Sequence, residues 1–67
     1  MSKYRPYKGY ALFINYQDEQ KLAACRAEIY CSASLLETSE WENTEDLAFL
    51  GAQKIIDRWE LESKTKR

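Results

Sequence analysis

The chain contains no histidine, and that absence removes more chemistry than any residue present supplies. Histidine is the side chain that changes charge near neutral pH and the commonest metal ligand, so a His-based general base, a Ser-His-Asp triad and a His-containing zinc site are all excluded. Glycine is almost as scarce: Gly9 and Gly51 lie far apart, and no glycine-rich loop can form to cradle a phosphate. The one proline is Pro6. No apolar run approaches the roughly 18 residues of a membrane span. The start, Met1-Ser2-Lys3-Tyr4-Arg5, has no apolar core behind it, and a cytoplasmic location is the expectation.

The two cysteines, Cys25 and Cys31, lack CxxC spacing. On one strand they would sit about 20 Å apart and on a helix about 9 Å apart along the axis, too far for a disulfide either way. They read as two buried free thiols acting as small hydrophobes. Arg26, beside Cys25, would point to the opposite face of a strand and activate nothing. The carboxylates of 37–46 lack calcium-loop spacing. No cofactor, metal or enzymatic activity is expected.

What the chain does have is aromatic bulk and balanced charge. Two Trp, five Tyr and two Phe stand in 67 residues with net charge −1. This length means one domain, with residues 1–8 as an extended arm and 63–67 as a frayed basic tail. Such a chain buries only about 60% of its unfolded surface, and dimerisation is a common way to bury more.

The clearest helix signal is 43–62. Asn43 or Thr44 can cap it, and Glu45 and Asp46 suit the positive end of the helix dipole. At helical spacing Ala48, Ala52, Ile55 and Trp59 share one line, with Gly51 and Ile56 beside it. Gly51 costs the helix roughly 1 kcal/mol relative to alanine, which close approach of a strand would explain. Leu47, Leu50, Lys54 and Leu61 form a second stripe away from that line. Read as a candidate protein contact, the stripe joins the acidic segment with Glu37, Glu40 and Glu42. That acidic run is otherwise a charged edge that discourages strand pairing.

Strands are expected over 9–17, where Tyr10, Leu12, Ile14 and Tyr16 alternate with Ala11, Phe13, Asn15 and Gln17. Both faces are partly apolar, as in a central strand. Asp18-Glu19-Gln20 reads as a turn. Residues 21–31 fit a strand, with Ala23, Cys25, Ala27, Ile29 and Cys31 inward, and also fit a helix capped by Asp18; the strand supplies the first one with a partner. Ser32-Ala33-Ser34 is a loop and 35–41 a third strand.

Several stretches together resemble a known pattern. Tyr7-Lys8-Gly9-Tyr10 opens a hairpin, and Arg26-Ala27-Glu28-Ile29 lies in its second strand. Thr44-Glu45-Asp46, Ala48, Gly51-Ala52 and Ile55-Ile56-Asp57-Arg58-Trp59 form the closing helix. The order is similar to small bacterial and phage β-β-β-α proteins and, loosely, to HicB-type antitoxin domains. The resemblance implies a partial RNase H-like or double-stranded-RNA-binding-like fold.

The expected fold is therefore α+β: a three-stranded antiparallel sheet backed by one C-terminal amphipathic helix. The core would be Leu12, Ile14, Ile29, Ala48, Ala52, Ile55 and Trp59. A strand followed by two helices is the rival. The expected function is a non-enzymatic protein-interaction module, as a homodimer or an antitoxin-like inhibitor. The alternative is weak nucleic-acid binding through Lys3, Tyr4, Arg5, Tyr7 and Lys8 with the basic tail of 64–67, since tyrosines stack on bases and cations pair with phosphates.

Overall fold

The structure, a computed structural model, describes residues 3–18 and 24–65. Four strands, β1 (Tyr4–Tyr7), β2 (Tyr10–Tyr16), β3 (Cys25–Cys31) and β4 (Ser34–Thr38), are followed by one helix, α1 (Glu45–Thr65). The strands form an antiparallel sheet in sequence order, β1-β2-β3-β4. The α+β class and the C-terminal helix agree with the sequence reading, but the sheet has four strands where three were expected.

The extra strand is the segment read as an arm. β1 pairs with β2 in the register Tyr4–Phe13, Arg5–Leu12, Pro6–Ala11 and Tyr7–Tyr10. Pro6 cannot donate to a ladder, but β1 is an edge strand, where one outward N–H is dispensable. Lys8 and Gly9 turn the chain with φ of 52° and 87°. Two consecutive positive φ values match the right-handed twist of a hairpin, and Gly9 takes the larger one without a Cβ to clash. The same device recurs between β3 and β4, at Ser32 and Ala33, with φ of 52° and 66°.

The ambiguous stretch resolves as a strand over Cys25–Cys31, not a helix. Residues 19–23, which carry Ala23 and most of the expected turn, lie outside the described residues. Cys25 is buried, but Cys31 is exposed at the strand end, beyond the cover of the helix, so the pair is not two buried thiols; both are free.

β4 ends at Thr38, short of the expected 41. Its register slips against β3, with Ile29 opposite Glu37 and Tyr30 opposite Leu35, leaving Leu36 as the inserted residue of a bulge. The chain then recrosses: Ser39 N donates to Ala27 O, and Cys25 and Glu42 exchange both backbone bonds. Buried Ser39 also accepts from Ala27 N through Oγ at 2.9 Å.

Thr44, not Asn43, caps the helix: its Oγ1 accepts from Leu47 N at 3.1 Å, a bond worth about 1 kcal/mol. The helix runs to Thr65, three residues past the expected end. It packs across β2 and β3. The buried cluster is Leu12, Ile14, Cys25, Ala27, Ile29, Ala48, Phe49, Ala52 and Ile56. Ile55 and Trp59, expected in this core, are half-buried beside it. The buried line of the helix is turned toward Phe49 and Ile56: the Phe49 ring lies beneath the Arg5 guanidinium of β1, while Ile55 lines the cleft beside the segment after β4. Gly51 explains itself here: a Cβ on it would stand 3.3 Å from Ser39 Cβ.

Candidate functional site

Successive side chains of a strand alternate between faces, so the register sorts the sheet. Arg5, Leu12 and Ile29 share a row on the helix side, as do Ile14 and Ala27. The opposite side carries the rows Pro6, Ala11, Tyr30, Leu35 and Tyr4, Phe13, Glu28, Thr38, with Asn15 opposite Arg26. Among the described residues no element covers this second face.

A bare sheet face usually carries polar residues. This one carries an aromatic run. Tyr4 and Phe13 have ring centroids 5.2 Å apart, and Phe13 meets Tyr30 edge-on at 5.5 Å. Tyr4 is 57% exposed, Leu35 51% and Trp41 41%. The Arg26 guanidinium lies over the Trp41 ring, 4.6 Å from its centroid. In the middle Glu28 accepts from Asn15 Nδ2 and from the Tyr30 hydroxyl, both at 3.3 Å. The nearby Glu28 charge holds the Tyr30 hydroxyl above its ordinary pKa. Phe13, Ile14, Asn15, Glu28 and Tyr30 line a shallow depression of about 420 Å³.

The cations expected to meet nucleic acid face the helix instead. Lys8 Nζ donates to Asp57 at 3.0 Å and to Glu60 at 2.9 Å, and the Tyr7 hydroxyl donates to Asp57 at 2.8 Å. Lys3 sits 3.8 Å from Glu45 and Arg5 3.8 Å from Asp46, with the Arg5 guanidinium over Phe49. The Lys8 bond, then the Tyr7 bond, lowers the Asp57 pKa, and the two carboxylates raise that of Lys8. Tyr4 alone of the five expected nucleic-acid contacts turns to the bare face. The side chains of 64–67 lie outside the described residues.

The expected protein contact divides in two. Leu47, Leu50 and Leu61 are exposed at 46%, 45% and 64% on the side of α1 away from the sheet. Lys54 turns instead toward Glu37, Glu40 and Glu42, and with Gly51, Ile55 and Arg58 these line a cleft of about 300 Å³ between the helix and 37–42. No group of His, Cys, Asp and Glu suited to a metal ion occurs among the described residues. Among them no helix is long and apolar enough to cross a membrane.

Phe13, Arg26, Tyr30 and Trp41 were not singled out from sequence. For Phe13 the signal is the apolar character of both faces of 9–17, which a fully covered central strand would equally show; Arg26, Tyr30 and Trp41 are joined to it only by the strand register. No protein-family model, curated protein or solved structure matches the chain.

Proposed function

We propose that the protein is a non-enzymatic protein-interaction module that binds a folded protein partner through the bare face of its sheet. The observation that carries this is the aromatic run Tyr4–Phe13–Tyr30 with Leu35 and Trp41, half-buried at Phe13 and Tyr30 and exposed at the other three, where a solvated face would be polar. Aromatic and arginine side chains dominate protein contacts because they bury large area at low entropic cost. Balanced charge favours a protein over a polyanion, since the β1 cations already face helix carboxylates. An antitoxin-like inhibitor, as the sequence resemblance suggests, would be one form of such a module.

The test separates the two apolar surfaces. Association of the chain, with itself or with another protein, should be lost in Phe13→Asp and kept in Leu50→Lys, each confirmed as folded by circular dichroism. The reverse pattern would transfer the role to the leucine stripe. Association insensitive to both would remove the reading.

A further inference from the structure

The bare face is complementary to itself, and we infer that its partner is a second copy of this chain, packed sheet to sheet with Arg26 of each copy over Glu28 of the other. This rests on the bare face being the working surface. Arg26 and Glu28 are same-face neighbours on β3, of opposite charge. Among the described residues Arg26 makes no ion pair, and its Nε is buried without a hydrogen-bond acceptor. The guanidinium nevertheless lies over the Trp41 ring. The buried Nε is out of reach, but the terminal guanidinium nitrogens, with no ion pair among the described residues, fit a carboxylate arriving from outside.

A two-fold axis lying between the sheets and crossing β3 at Ala27 runs the two copies of β3 antiparallel. It sets Arg26 over Glu28 twice, as an isologous contact requires. The same operation places Phe13 against Asn15 and Tyr30 against Ala24, large residues over smaller ones. Aligned sheets pack about 10 Å apart, which interdigitated Arg and Glu side chains can span. Four strands of about six residues make a patch roughly 20 Å on a side, small for a permanent interface. The dimer is therefore reversible and concentration-dependent.

Light scattering of the full chain over a wide concentration series tests this. Wild type should pass from monomer to dimer. Arg26→Glu and Glu28→Arg should each weaken the dimer at least tenfold, and the double exchange should restore it. Glu28→Gln removes the charge, keeps one acceptor oxygen for Asn15 and can donate its amide to the Tyr30 hydroxyl, and should weaken the dimer even if Glu28→Arg fails to fold. A wild type that stays monomeric overturns the inference, as does a double exchange that restores nothing. If that monomer still binds another protein and Phe13→Asp abolishes it, the module reading stands without self-association. A dimer indifferent to Phe13→Asp and to the charge exchange overturns both.

Discussion

Tyr16 ties the end of β2 to the first turn of the helix through its hydroxyl, which donates to Glu45. That bond, with some desolvation, pushes the Tyr16 pKa up to about 12 from 10.0. A group that holds its proton more tightly when folded stabilises the fold below its unfolded pKa and stops doing so as pH rises through the folded one. Stability should thus decline between about pH 10 and pH 12. Tyr7 and Lys8, both raised through partners on the helix, lose their contributions in the same direction. Asp57 works at the other end: its lowered pKa adds stability above the unfolded value of 3.8, lost as pH falls through the folded one. Thermal melts from pH 8 to 12 should show a shallower alkaline decline in Tyr16→Phe than in wild type, with a lower melting temperature at pH 8. Parallel pH profiles for the two proteins would mean that the Tyr16–Glu45 bond does not persist in solution.

At the scale of elements, Gly51 shows how a local rule yields to packing. Replacing a mid-helix glycine by alanine ordinarily adds about 1 kcal/mol of stability. Here the new Cβ would meet Ser39 Cβ at 3.3 Å. Ser39 has little freedom to retreat, because its N–H and its Oγ both bond to the Ala27 backbone. Gly51→Ala should therefore stay within about 0.5 kcal/mol of wild type in urea unfolding, and Gly51→Leu should destabilise clearly; a full gain of about 1 kcal/mol in the alanine variant would show that the contact is loose. The glycine was legible as an oddity, and so was the helix that carries it, since caps and the 3.6-residue period are local signals. What escaped was non-local. Pro6 disguised β1, because only the position at a sheet edge makes its missing N–H harmless. The Lys8-Gly9 turn lacks the Asn-Gly signature, so the β1–β2 hairpin did not announce itself, whereas the Ser32-Ala33 turn fell in the loop expected between two strands. Arg26 and Trp41 lie far apart in sequence, and their stacking depends on the chain recrossing beside β3 through Glu42. The buried line of α1 was misplaced by part of a turn because Phe49 stands beside, not on, the alanine row.

Taken whole, the molecule sorts its charge across the helix. Asp46, Asp57 and Glu60 face the cations of β1, while Lys54 and Arg58 face Glu37, Glu40 and Glu42 across the cleft. This arrangement helps fix which way the helix lies on the sheet, since turning it end for end or rolling it would bring like charges together. Apart from the largely covered Glu45 partner of Lys3, the paired side chains of Lys3, Arg5 and Lys8 are exposed, and exposed pairs are individually weak and screened by salt. Together the pairs of Lys3, Arg5 and Lys8 brace β1, which has no second neighbouring strand to hold it. Replacing all three by alanine should therefore lower the melting temperature in low salt, by an amount that shrinks as salt is raised. A site for nucleic acid predicts a different outcome: melting indistinguishable from wild type, with loss of a salt-sensitive mobility shift on single-stranded oligonucleotides. The two measurements on one triple variant decide whether β1 spends its charge on its own helix or on a polyanion. The geometry of Lys8, held between Asp57 and Glu60, favours the helix.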